Sequence, residues 1–87
     1  MYSITAYTKQ KAREIGVEVK PSTRKGKKID VYKNGKFITS LGQAGAGDYP
    51  HYLIENGIEY ANERRRLYRL RHTKDTVGEV LALHLLW

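Results

Sequence analysis

The dipeptide Asn34-Gly35 constrains the fold of this chain more than any other feature, because it separates two runs rich in β-branched and aromatic residues. Asn-Gly favours a two-residue hairpin turn, since both residues readily adopt positive φ. A three-residue turn with a bulge would shift the strand pairing by one. For the tight turn, the expected pairs are Lys33 with Lys36, Tyr32 with Phe37, Val31 with Ile38 and Asp30 with Thr39.

This register assigns side chains to the two faces of the hairpin. Alternation along the strands predicts that Ile29, Val31 and Ile38 share one face. Tyr32 and Phe37 then lie on the other face as a cross-strand aromatic pair.

Positive charge is concentrated on the same hairpin. The net charge is +7, and residues 1–47 hold ten Lys or Arg and three Asp or Glu, whereas residues 48–87 hold six of each. Most surfaces mix the two signs, so we expect this stretch to bind a polyanion. The alternative is that lysines protect an exposed sheet edge from aggregation. The basic residues between positions 20 and 36 are Lys20, Arg24, Lys25, Lys27, Lys28, Lys33 and Lys36, against the single acid Asp30.

The flanking segments complete a prediction of one α+β domain spanning residues 1–87. Residues 3–16 have apolar spacing typical of a helix, with Ser3 or Thr5 as N-cap and Gly16 as terminator. Residues 17–20 alternate like a short strand that Pro21 ends or confines to a sheet edge. Together with the hairpin, this strand gives a three-stranded antiparallel sheet, followed by two or three helices.

A glycine-rich run, residues 42–47, joins the hairpin to the second half of the chain. It lacks the Lys-Ser/Thr of a phosphate-binding loop, and the next residue, Asp48, would place a negative charge at the phosphate position. We therefore interpret the run as a connector. Asp48 and Pro50 are typical of a helix start, and Gly57 is expected to interrupt that helix.

The longest predicted helix covers residues 58–72 and is rich in arginine. At 100° per residue, Arg65, Arg66 and Arg69 share one face, which we expect either to contact phosphates or to form a solvated, salt-bridged surface. Glu63 is placed to pair with Arg66 at the i, i+3 spacing. Arg64 and Arg71 fall within the apolar stripe, where each needs a partner or an exit to solvent.

The last segment is strongly apolar. Thr76 and Glu79 have the spacing of a capping box, which predicts a helix from that point. Its apolar residues lie on nearly every side, so we expect the segment to complete the core, with packing on another subunit as the alternative. The residues of this possible contact are Val80, Leu81, Leu83, Leu85, Leu86 and Trp87.

Residues for catalysis or metal binding are sparse in this sequence. There is no Cys, and the three His residues, His51, His72 and His84, lack metal-ligand spacing. The acids, including Asp75, are scattered rather than clustered for a metal-dependent nuclease. We expect no enzyme activity, no catalytic residues, no metal and no cofactor.

Several blocks resemble a family of short basic proteins of undefined function encoded by large DNA viruses of algae and protists. The resemblance covers roughly residues 2–75 and the last three residues, and departs at residues 76–84, where relatives tend to carry a Gly/Pro-containing turn with aromatics. It implies a viral context and no activity. The quoted blocks are Tyr2–Thr5, Gly16-Val17, Val19–Lys36, Asp48–Pro50, Arg64–Tyr68, Arg71-His72 and Leu85–Trp87.

These observations favour a non-enzymatic nucleic-acid-binding protein, with double-stranded DNA as the expected partner. The alternatives are a small virion component, such as a minor capsid or cement protein that meets acidic shell proteins or packaged DNA, and a small nuclease or nuclease accessory. The sequence shows no long apolar span and no signal peptide, so we expect a virion, nuclear or cytoplasmic protein without a membrane partner. The expected phosphate contacts are Arg24, Lys25, Lys27, Lys28, Lys33, Lys36, Arg65, Arg66 and Arg69.

Overall fold

The computed structural model of the protein describes residues 2–72 and 76–87, so that Asp75 lies outside the described residues. Within these residues, one helix, three strands and then three helices follow one another, which confirms the predicted α+β fold. The strands form one antiparallel sheet in the order β1-β2-β3, with the hairpin strand β2 at its centre. The elements are α1 (Ala6–Ile15), β1 (Glu18–Pro21), β2 (Lys27–Lys33), β3 (Lys36–Gln43), α2 (Tyr49–Asn56), α3 (Ile58–Arg71) and α4 (Val77–Leu85).

The Asn34-Gly35 turn has the expected conformation, with φ of 52° and 77°. Positive φ at both central residues is the requirement of the tight hairpin turn. Next to the turn, Lys33 pairs with Lys36 and Tyr32 with Phe37, as predicted.

Beyond those two pairs the predicted register is wrong, because a β-bulge interrupts the ladder between Val31 and Tyr32. Val31 pairs with Thr39 instead of Ile38, and Asp30 pairs with Ser40 instead of Thr39. A bulge opposes two residues of one strand to one of the other, so the side chains beyond it change sides.

The bulge determines which β3 residue enters the core. Ile38 is 37% exposed, whereas Leu41 is 3% exposed and pairs with Ile29. Ile29 and Val31 are fully buried on the same face. The core face of the hairpin therefore consists of Ile29, Val31 and Leu41.

The helix ends follow the local sequence signals. The Thr5 side chain accepts a hydrogen bond from the Thr8 amide, so α1 begins three residues later than predicted, and Gly16 ends it with φ of 72°. Asp48 caps α2 by accepting from the His51 amide, and Gly57 separates α2 from α3. Side-chain acceptors at these positions satisfy amides that have no partner within the helix.

The end of the chain completes the core. Leu85, Leu86 and Trp87 are at most 7% exposed, and they pack in one cluster with Ile29, Val31 and the α1 residue Ala12. Only part of the predicted subunit contact stays accessible, chiefly Val80 at 45% exposure. Self-association through this segment remains a prediction, and the burial of its last three residues argues against it.

None of the described helices combines the length and the apolar composition needed to cross a membrane.

Candidate nucleic-acid interface

The one acid of the hairpin, Asp30, is withdrawn from the surface. It is 6% exposed, and its Oδ1 accepts hydrogen bonds of 2.6 Å from both the Ser22 and Ser40 hydroxyls. The bonds from Ser22 and Ser40 hold the pKa of Asp30 below its ordinary value, although burial opposes them, and the Thr23 amide and the Arg24 charge contribute. Asp30 is therefore a buried anion that orients the chain around it.

The chain oriented by Asp30 is the basic loop, residues 22–26, between β1 and β2. Ser22 Oγ, which donates to Asp30, also accepts a hydrogen bond of 3.1 Å from the Arg24 amide. The Ser22 amide donates to the Lys28 carbonyl, and the Ala44 amide donates to the Gly26 carbonyl. Both ends of the loop are thus held in place, while the side chains of Thr23, Arg24 and Lys25 are exposed.

Most of the basic residues of the hairpin are accessible. None of the accessible ones forms a salt bridge with another residue in the described ranges. With Asp30 buried, residues 20–36 present cations and no exposed carboxylate. The exposed set, called the hairpin cations below, is Lys20, Arg24, Lys25, Lys27, Lys33 and Lys36.

Aromatic rings lie between some of these cations on the outer face of the sheet. The Tyr32 and Phe37 rings meet edge to face with centroids 5.7 Å apart, which confirms the predicted aromatic pair. Lys20 Nζ lies 5.2 Å from the Tyr32 centroid, and Arg24 Cζ lies 5.1 Å from the Phe37 centroid. Phe37 is 43% exposed, so this face offers both charge and an accessible ring.

Lys28 was expected to contact phosphate, but the structure places it in the interior. Its side chain is 5% exposed, and its Nζ lies 2.9 Å from Asp48 Oδ2. Tyr2 donates to the same oxygen at 2.6 Å, and His51 Nδ1 lies 2.7 Å from Asp48 Oδ1. Lys28 therefore neutralises a buried carboxylate and is removed from the candidate interface.

Arg65 was also expected on a free arginine face, but the structure gives its side chain several partners. Its guanidinium lies 3.4 Å from the centroid of the Tyr49 ring. Its Nε donates to the main-chain oxygen of Trp87 at 2.6 Å, and its Nη2 donates to the Tyr7 hydroxyl at 3.1 Å. Arg65 thus links α3 to α1, α2 and the end of the chain, and it has a structural role.

Arg66 and Arg69 are exposed on α3, as expected. Arg66 forms the predicted ion pair with Glu63 one turn earlier, and that pair is itself exposed. An exposed pair of this kind is weak, but it halves the charge that the helix face presents. The α3 face is therefore a weaker candidate for phosphate contact than the hairpin.

No group of three or more His, Asp or Glu side chains in residues 2–72 and 76–87 is arranged to hold a metal ion. The buried carboxylate of Asp48 already has a cation beside it, because the Lys28 ammonium lies 2.9 Å from its Oδ2.

Comparison of the chain with protein-family models, with curated proteins and with solved structures finds no match in any of the three. The candidate interface is therefore defined by its own geometry and charge alone.

Proposed function

We propose that this protein binds nucleic acid without enzymatic activity, and that the hairpin cations are its phosphate contacts. One observation carries the proposal: the hairpin surface presents six exposed cations that form no salt bridge within residues 2–72 and 76–87, while its acid is buried and hydrogen-bonded. A surface of one sign attracts a polyanion and releases the counterions condensed on it. In the viral context implied by the family resemblance, genomic duplex DNA is the expected partner.

The spacing of the cations supports contact with an extended ligand. Lys33 and Lys36 flank the turn at one end of the hairpin, Lys25 and Lys27 lie at the other end, and the Arg24 guanidinium extends to the Phe37 ring between them. Strands rise about 3.3 Å per residue, so six residues separate the two groups by about 20 Å. Non-adjacent phosphates of one duplex could meet both groups, with Arg24 and Phe37 between them.

A lysine pair in the basic loop tests the proposal. We expect Lys25→Gln with Lys27→Gln to weaken binding to a duplex and to reduce the log–log salt slope by about two, since each phosphate contact on B-DNA contributes about 0.9. The measurement is fluorescence anisotropy of a labelled duplex between about 50 and 200 mM salt.

The matched control removes two charges from exposed positions on α1, by Lys9→Gln with Arg13→Gln. This control has the same net charge as the lysine variant, so it reports the effect of overall charge. Equal slopes for the two variants would show that the hairpin makes no local phosphate contact.

A structural role in a virion is the second candidate function. It is favoured by apolar side chains that stay exposed on α2 and α3, namely Ile54 at 74%, Ile58 at 62% and Leu70 at 71%. Exposed apolar groups of this size are typical of docking surfaces when they form a patch. Stoichiometric recovery in purified particles, without salt-dependent DNA binding, would favour this candidate over the first.

A further inference from the structure

A cleft of about 430 Å³ lies between the end of the hairpin and the C-terminal half of α3. Its size falls within the range of small-molecule sites. One wall is the glycine-rich run, which begins in the last two residues of β3, and the other is formed by Arg64, Tyr68, Arg71 and His72. No Asp or Glu is among the described residues that line it.

The cleft contains a column of three parallel rings. Tyr68 stacks on Trp87 with centroids 4.2 Å apart, and His72 stacks on the other side of Tyr68 at 3.8 Å. The interplanar angles are 13° and 11°. Trp87 is buried, whereas His72 is exposed and ends the column. A further flat ring can therefore be added only at the His72 end.

The His72 ring is held in this orientation. Its Nδ1 lies 3.0 Å from the Tyr68 carbonyl oxygen. A carbonyl oxygen only accepts, so Nδ1 carries the proton and donates. This hydrogen bond fixes the ring plane parallel to Tyr68, which is the arrangement that a stacked base requires.

Two arginines lie beside the column. Arg64 and Arg71 are seven residues apart on α3, so they project from the same side of the helix. The Arg64 guanidinium lies over the Tyr52 ring at 5.6 Å, and neither arginine has a salt-bridge partner in the described ranges. Their position within the apolar stripe is thus explained, because both side chains line the cleft.

The cleft is continuous with the basic loop. Gln43, which lines the cleft, pairs with Lys27 at the end of the sheet, and the next amide, Ala44, donates to the Gly26 carbonyl. A strand whose phosphates follow the loop therefore passes the mouth of the cleft.

We propose that this cleft binds one unpaired nucleotide of a strand that the hairpin holds, with its base stacked on His72 and its phosphate at Arg64 and Arg71. The inference rests on the proposed function and specifies the form of nucleic acid, which is one with an unpaired extension or end. Base-on-ring stacking typically contributes about 1–3 kcal/mol per base, so an extension should tighten binding about tenfold.

The test compares a blunt duplex, the same duplex with a short unpaired extension, and a free deoxynucleoside monophosphate as competitor. We expect the wild type to prefer the extended duplex about tenfold. Arg64→Gln with Arg71→Gln should abolish the preference and leave blunt-duplex affinity close to that of the matched control, Lys9→Gln with Arg13→Gln. His72→Ala should also abolish it, whereas His72→Phe should retain part of it, because Phe keeps a flat ring but lacks the hydrogen bond to the Tyr68 carbonyl.

A variant that keeps every charge provides an independent check. Ala46 is an exposed residue of the cleft wall, and Ala46→Trp should fill the cleft and remove the preference in a protein that stays folded by circular dichroism.

The outcomes separate the two proposals. Equal affinity for blunt and extended duplexes would overturn the cleft assignment and leave the hairpin proposal intact. Extension-dependent binding that is insensitive to Lys25→Gln with Lys27→Gln would overturn the hairpin contacts and keep the cleft. Free nucleotide that binds as tightly as the extended duplex would overturn the assignment to a strand and identify a free nucleotide as the ligand.

Discussion

Replacement of Asp48 by Asn is expected to lower the free energy of unfolding by about 3–5 kcal/mol, because it leaves the Lys28 ammonium buried without a counter-charge. Asp48 is 1% exposed, and the Lys28 side chain is 5% exposed. Asn retains an oxygen that can cap α2, so the substitution removes the charge and the Oδ2 acceptor of Tyr2 but keeps the cap. The measurement is urea unfolding followed by circular dichroism.

The double variant provides the control. Lys28→Met removes the ammonium and keeps an unbranched side chain, so Asp48→Asn with Lys28→Met should lose clearly less stability than the two single losses added together. Groups in direct contact typically show such coupling, at about 0.5–3 kcal/mol. Additive losses would mean that Lys28 and Asp48 do not interact.

Lowering the pH should reproduce, in the wild type, part of the stability loss expected for Asp48→Asn. Burial raises the pKa of Asp48, but the hydrogen bonds from Tyr2, Lys28 and His51 and the Lys28 charge outweigh it, so the pKa lies below its ordinary value. A depressed pKa stabilises the fold above the unfolded-state value, and that stabilisation is lost as pH falls through the folded-state pKa. The Asp48→Asn variant should show a smaller loss over the same acid range.

Deletion of Leu85–Trp87 is expected to unfold the domain, with loss of cooperative thermal unfolding. Leu85 and Leu86 are at most 1% exposed, and burial of each contributes about 1.5–3 kcal/mol. Loss of a buried Trp typically costs a further 3–5 kcal/mol. The sum is comparable with the whole stability of a small domain.

Three hydrogen bonds to main-chain oxygens are lost in the same deletion. The Thr8 hydroxyl donates to the Leu85 carbonyl, the Tyr49 amide donates to the Leu86 carbonyl, and Arg65 donates to the Trp87 oxygen. The Thr8 hydroxyl and the Tyr49 amide are left as buried donors without a partner, which adds to the cost.

A point variant on the exposed side of α4 is the matched control. Val77 is 64% exposed, so Val77→Ala should change stability by no more than about 0.5 kcal/mol. A truncated protein that stays folded but sediments as a smaller species would contradict the core assignment and restore the predicted subunit contact through residues 80–87.

The features that the sequence predicted correctly depend on near neighbours in the chain. The Asn34-Gly35 turn, the Thr5 and Asp48 caps, the interruption at Gly57 and the Thr76–Glu79 cap each involve residues within four positions of one another. Turn and cap preferences arise from local backbone and side-chain geometry, so they can be read without knowing the tertiary structure.

The features that the sequence did not predict depend on distant contacts. The bulge follows from placing Leu41 rather than Ile38 against the core, which alternation along a single strand cannot reveal. Lys28 meets Asp48 across 20 residues, and Arg65 meets Trp87 across 22. The sequence predicts exposed phosphate contacts at Lys28 and Arg65, because charge alone does not specify a buried partner.

One feature of the sequence pointed to the cleft. Arg64 and Arg71 fell within the apolar stripe of their helix, where a cation needs a partner or a solvent-filled space. The structure supplies the space, since both line the cleft. Tyr68 and His72 are four residues apart on the same helix, but Trp87, which completes the ring column, is remote in sequence.

Chemical-shift mapping by NMR tests the central claim most directly, because it locates the nucleic-acid contacts on the folded protein. A ¹⁵N-labelled sample would be titrated with duplex DNA at low salt and again at high salt. We expect the largest shifts at residues 20–27 and 33–37, with little change on α1, and we expect them to fade as salt displaces the DNA. Shifts confined to Arg66, Arg69 and their neighbours on α3, or no shifts at low salt, would contradict the assignment of the hairpin as the nucleic-acid interface.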